Sequence, residues 1–211
     1  MTRPLTLASL PLFPLSTVLF PGGTLDLRVF EVRYLDMVRK CQAAGAPFGV
    51  VALAEGSEVR RPGPAQEQLH DIGTLAHIEQ LQAPQPGLLL LRCSGRQRFR
   101  ITQRSRLPHG LWIADVEQLP PDLAVAIPAD LQASATALQR LLASLHQRNA
   151  SASAAPPPDD PALADCGWVA NRWCELLPLP LELRQRLMAL DNPLLRLELV
   201  GDALERLDIL R

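Results

Sequence analysis

The chain has 211 residues, with 21 Lys plus Arg against 22 Asp plus Glu and a formal net charge of −1, so no global charge draws it to phosphate backbones or anionic lipid. Hydrophobic residues make up 47% and charged residues 20%, the composition of a chain that buries a core and not of a disordered one. Twenty prolines are an unusual share, and Lys40 is the single lysine, so nearly all positive charge is arginine.

The Leu-rich opening is interrupted by Pro4, Pro11, Pro14 and Pro21. An apolar secretory helix cannot run through them, and no stretch of about 18 apolar residues follows that would predict a membrane helix. Short β-branched or alternating segments predict strands over residues 7–12, 17–19 and 24–29. Residues 30–44 then carry Tyr34, Leu35, Val38 and Cys41 at helical spacing, with Gly45 placed to end the helix in the left-handed conformation. Further strands are expected over 48–54, 72–81, 88–93, 96–103 and 111–119, with a loop over 55–68 holding Gly56, Pro62, Gly63 and Pro64.

After Pro120 and Pro121 the period changes to that of helices. Residues 129–148 present Leu131, Ala135, Leu138, Leu141, Leu142 and Leu145 on one stripe. The segment 149–161, with Pro156, Pro157 and Pro158, reads as a flexible loop. Helices are expected over 163–177 and 181–190, and Asn192 with Pro193 supplies an N-cap and first-turn proline for a last helix lined by Leu197, Val200, Leu204 and Leu207. The expected organisation is an α+β chain: a β-rich part over 1–120 with one packed helix, then a bundle of about four helices over 121–211.

Catalytic patterns are missing. There is no G-x-x-x-x-G-K-[ST] phosphate loop and no G-x-S-x-G elbow. His70, His77, His109 and His146 lack zinc-ligand spacing, so no metal or cofactor is expected. Cys41, Cys93, Cys166 and Cys174 form no C-x-x-C and read as buried small hydrophobes of a protein in a reducing cytoplasm. The distinctive cluster is Arg92, Arg96, Arg98, Arg100, Arg104 and Arg106, with no acidic residue among them. On a strand, Arg96, Arg98 and Arg100 share one face, a row suited to nucleic-acid phosphates or acidic peptide side chains, unless carboxylates of neighbouring strands pair with it.

Ordered motifs then point to a family. Residues Leu10-Pro-Leu-Phe-Pro-Leu15, Val18-Leu-Phe-Pro-Gly22, Phe30-Glu-Val-Arg-Tyr34, Phe48-Gly-Val-Val51, Gly73-Thr74, Gly95-Arg-Gln-Arg-Phe-Arg-Ile101 and Leu176-Leu-Pro-Leu179 strongly resemble the amino-terminal domain of the ATP-dependent Lon protease. Asp26 and Val32 stand where that pattern usually has proline. The resemblance implies a PUA-like β pseudo-barrel followed by a helical bundle. It marks Pro11, Phe13, Pro14, Phe20, Pro21, Gly22, Phe30, Glu31, Arg33, Tyr34, Gly73, Gly95 and Phe99 as fold-defining, with Phe30, Arg33 and Tyr34 opening the helix that plugs the barrel.

By that resemblance the chain is a noncatalytic protein- or peptide-binding module, a substrate-recognition domain without ATPase or peptidase modules. Its implied partners are unfolded or client proteins, with a Lon protease among the candidates, and the helical surfaces allow a homo-oligomer; no membrane partner is expected. The competing reading is RNA binding by a PUA-like barrel through Arg96, Arg98 and Arg100. An aromatic content of 4% offers few platforms for base stacking.

Overall fold

The computed structural model describes residues 5–55, 67–148 and 161–210, so most of the two expected loops, 55–68 and 149–161, lies outside the described residues. The chain divides into two compact units, Met1–Pro121 and Asp122–Arg211.

In the first unit, β1 (Thr6–Leu15) meets β7 (Trp112–Gln118) in antiparallel register from Thr6 opposite Glu117 to Leu12 opposite Trp112. It then runs parallel to β3 (Phe48–Glu55) from Leu12 opposite Gly49 to Leu15 opposite Ala52. Pro11 and Pro14 each lie where β1 has a neighbour on one side only, positions at which a missing N–H need not break a ladder. The remaining strands are β2 (Thr24–Val29), β4 (Gln68–Leu69), β5 (Ile72–Gln85) and β6 (Leu88–Arg106). The sheet order is β1-β7-β6-β5-β3-β4, with β2 on β6. The β1–β3 pair returns this path toward its start, while β4 extends beyond β3 at its end and β2 stands off it. The expected pseudo-barrel is therefore a partly closed mixed sheet.

Helix α1 (Val32–Ala44) covers one face, packing Tyr34, Leu35, Val38 and Cys41 with Phe13, Phe48, Val50, Leu89 and Leu91. Leu12, Val51, Leu75, Phe99 and Val116 form a second core cluster. Neighbours in sequence thus divide between two cores, Leu12 from Phe13 and Val50 from Val51, which is why Phe48–Leu53 is buried at every position instead of alternating. Gly45 ends α1 at φ 59, ψ 24, as its position predicts.

Three expectations are corrected. Residues 17–19 form no strand: the Leu19 carbonyl accepts the Thr74 hydroxyl at 2.6 Å, and Val18, Leu19 and Phe20 are buried as an irregular segment. The strands expected over 88–93 and 96–103 are one continuous β6. Gly95 carries it past the irregular segment, donating to the Gly23 carbonyl at 2.8 Å, while its own carbonyl accepts from Gly22 at 2.9 Å. A Cβ at Gly95 would stand 2.2 Å from the Phe20 carbonyl oxygen. Finally, the first helix starts at Val32 and not at residue 30, with Glu31 as its N-cap.

The second unit holds α2 (Gln132–Arg148), α3 (Cys166–Leu176), α4 (Leu181–Ala189) and α5 (Pro193–Arg206). A 3-10 turn over Pro161–Ala164 precedes α3, because Asp165 caps that helix by accepting from the Trp168 N–H at 2.8 Å. Asn192 caps α5 by accepting from Leu194 and Leu195, with Pro193 in the first turn. Arg196 is buried and directs every part of its guanidinium to an acceptor: Leu187 carbonyl at 2.9 Å, Asn171 at 3.0 Å, both oxygens of Asp122, and the Leu190 carbonyl. That set is what a charge needs in order to be buried without a large penalty.

Candidate functional site

The residues that build the most distinctive surface are those of Phe30-Glu31-Val32-Arg33-Tyr34. Arg33 turns inward. Its Nη1 donates to the Gly110 carbonyl at 2.7 Å and its Nε to Glu31 at 3.1 Å, and the guanidinium lies 4.5 Å from the centre of the Tyr34 ring. Tyr34 stacks 4.1 Å from Phe13 at 31°, and burial raises its hydroxyl well above the usual tyrosine range. Glu31 is thus spent on Arg33 and makes no side-chain cap.

With Arg33 and Tyr34 facing inward, their neighbours face solvent: Phe30 is 57% and Val32 73% exposed. This corrects the expectation for Phe30, which precedes the helix and lies outside the core. Beneath it is a hollow of about 280 Å³ between β1, β2 and the start of α1, lined by Phe13, Leu15, Leu27, Val29 and Tyr34, with Asp26, Arg28 and Glu31 at its polar margin. Among the described residues β2 pairs with β6 alone, so its other edge borders this hollow with backbone groups available for pairing. A second, open depression of about 420 Å³ lies across β2, β6 and β5, where Arg92 grips Asp26 at 2.8 and 3.1 Å and holds that carboxyl below its ordinary value.

The arginine row does not assemble. Arg98 is buried, 4% exposed, while Arg96 and Arg100 are exposed. The register shift between Thr74 and Ala76 of β5, opposite this part of β6, breaks the simple alternation. Most of the others are engaged by carboxylates from outside β6: Arg92 by Asp26, Arg96 by Glu79 at 2.9 Å, Arg104 by Asp71 at 3.3 Å and Arg106 by Glu67 at 3.3 Å. The acids missing between Arg92 and Arg106 in sequence are supplied by neighbours in space.

Phe20 and Phe99 are fully buried, and Phe99 packs against Gly73, where a Cβ would stand 2.7 Å from its ring and 2.5 Å from the Val50 carbonyl. The four cysteines are buried free thiols, and burial pushes Cys93 and Cys174 up to about 12. Among the described residues no three His, Cys, Asp or Glu side chains group as metal ligands, and no helix is long and apolar enough to cross a membrane.

Over residues 9–206 the chain matches the family model of the ATP-dependent protease La (LON) substrate-binding domain. The chain belongs to the Lon substrate-binding domain family. A Lon N-terminal domain protein from Xanthomonas campestris has a crystal structure that superimposes with a TM-score of 0.73 at 34% identity, covering 93% of this chain and 98% of that one. The N-terminal domain of the Mycobacterium avium complex Lon protease, 17% identical with a TM-score of 0.61 over 92% of this chain and 96% of that one, shares the fold.

Two full Lon proteases match more locally. That of Flavobacterium johnsoniae is 29% identical over 96 residues, 45% of this chain and 11% of that protein, and Lon protease 4 of Sorangium cellulosum is 37% identical over 93 residues, 44% and 11%. The matched stretch is thus about a tenth of each protease. Val32 stands out in the sequence only as a replacement for the pattern's proline, and its place on the surface is what the structure adds. A helix that buries Arg33, Tyr34, Leu35, Met37, Val38 and Cys41 leaves residue 32 on the outer face with Asp36, Arg39 and Lys40, a periodicity already present in the sequence.

Proposed function

We propose that this chain is a noncatalytic protein-binding module that takes extended apolar segments of unfolded client proteins at the β1–β2–α1 surface. The observation that carries the reading is the pair Phe30 and Val32, two exposed apolar side chains beside an apolar hollow and an open strand edge. Apolar anchors and a row of backbone donors and acceptors are what a sequence-tolerant site for extended chains requires, because the backbone is common to all of them. Family membership supports the same reading. A Lon protease is the partner to which such a module would present its clients. The RNA reading loses its basis with the burial of Arg98 and the ion pairs of Arg92, Arg96, Arg104 and Arg106.

The test is fluorescence anisotropy with labelled, reduced and carboxymethylated α-lactalbumin as a permanently unfolded client. Wild type is expected to bind, and the double variant Phe30→Ser with Val32→Ser to bind at least about tenfold more weakly, the loss typical of truncated interface anchors. Both sites are exposed, so the thermal stability of the variant should match wild type. Absence of binding by wild type, or equal binding by both proteins, rejects the proposal.

A further inference from the structure

A second apolar surface lies wholly in the helical unit, far in sequence from Phe30. Between α4 and α5 runs a groove of about 450 Å³ floored by Leu187, Leu190 and Ala203 and walled by Leu183 and Leu199. Helix α5 already buries a full stripe, Leu197, Val200 and Leu204; its other side carries a second stripe, Leu195 at 41% and Leu199 at 42% exposure. A helix with two apolar stripes has one more neighbour to satisfy than its own unit supplies.

The charges around the groove say which neighbour fits. Arg186 and Arg206 line it as the basic groups. Asp202 lines the groove with them, and Glu198 and Glu205 continue its acidic row along the exposed side of α5, beside the second leucine stripe. Among the described residues none of these five side chains has an ion pair, whereas Arg172 and Arg196 of the same unit are each paired with a carboxylate. One face therefore holds a groove, a leucine ridge beside it, a basic set and an acidic set. A surface carrying both halves of its own complement is what a two-fold symmetric contact uses, since each copy offers the same patch and receives it.

We propose that the α4–α5 face docks on the same face of a second copy of this chain. The Leu195–Leu199 ridge of each copy seats against the groove of the other, and Glu198, Asp202 and Glu205 of one meet Arg186 and Arg206 of the other. The contact uses residues of the helical unit alone.

The experiment is sedimentation velocity on the full chain at micromolar concentrations, with circular dichroism of every variant to establish folding. Wild type is expected to sediment as a dimer, and Leu199→Asp as a folded monomer. Two charge variants make the test specific. Arg186→Glu with Arg206→Glu gives an all-acidic face, and Glu198→Lys with Asp202→Lys and Glu205→Lys an all-basic one. Each is expected to be monomeric by itself and the two to form a one-to-one heterodimer when mixed, dissociating as salt rises. A monomeric wild type, a dimer indifferent to Leu199→Asp, or failure of the two charge variants to associate overturns the proposal.

Discussion

At the scale of single residues, Gly95 and Glu175 make the sharpest predictions. A Cβ at residue 95 would meet the Phe20 carbonyl at 2.2 Å and Leu19 at 3.0 Å, in a place where backbone hydrogen bonds tie Gly95 to Gly22 and Gly23. Gly95→Ala is expected to cost about 3 kcal/mol in urea denaturation, the range of overpacking against an immovable backbone; a loss under about 1 kcal/mol would show that the Val18–Phe20 segment can move aside. Glu175 lies on α3 with its carboxylate 2.8 Å from Arg172, yet burial outweighs that partner and raises its pKa to about 7. Folded protein therefore holds this proton between the ordinary glutamate value of 4.5 and about 7, while the unfolded chain has released it. The contribution to stability is complete below that window and declines as pH rises through it. Wild type is expected to lose about 2–3 kcal/mol from this group between its two ends, and Glu175→Gln to lack that slope, as read from denaturation midpoints across the range.

At the scale of elements, the sequence was most legible where a local signal and burial agree. Gly45 and Asn192 end and begin helices as expected, because capping is settled by a residue's own backbone and side chain. The second unit's helices were legible from their stripes, except that Asp165 divides residues 163–177 by capping α3. Strands were less legible. The Val18–Phe20 segment has strand-like residues, but the Thr74 hydroxyl, 55 positions away, takes its carbonyl. Ser94-Gly95 looks like a break between two strands, yet it is the crossing point of a single one.

The candidate site divides in the same way. The Phe30–Tyr34 motif located it, but which of its side chains face inward depends on Gly110, far along the chain, accepting from Arg33. The arginine row misled because its carboxylate partners, Asp26, Glu67, Asp71 and Glu79, lie on other segments. Strand periodicity orders side chains within one strand; it does not say what the neighbouring strands supply.

At the scale of the whole molecule, the two units differ in how far along the chain their contacts reach. In the helical unit the longest-range hydrogen bond described joins Arg196 to Asp122 across 74 positions, whereas β1 and β7 pair across more than a hundred, with the Ser9 N–H bonded to Asp115 at 2.9 Å and a sequence separation of 106. Folding rate falls as such separations grow. Refolding followed by tryptophan fluorescence should therefore show a fast phase from Trp168 and Trp173 and a slower one, on the order of milliseconds to seconds, from Trp112. Trp112→Phe is expected to remove the slow phase selectively; a single rate for all three tryptophans would show that the units fold together.

The placement of β1 also has a consequence during synthesis. Its partner β7 is made last within the first unit, so on the ribosome the segment Leu10-Pro-Leu-Phe-Pro-Leu15 emerges as an apolar strand about a hundred residues before its antiparallel mate. An unpaired strand of that kind is the usual seed of cross-β association between nascent chains. Pro11 and Pro14 remove two of the amide donors such a ladder would need. In the finished sheet they lie where β1 has a single neighbour; in the unfinished chain they keep β1 from pairing with a copy of itself.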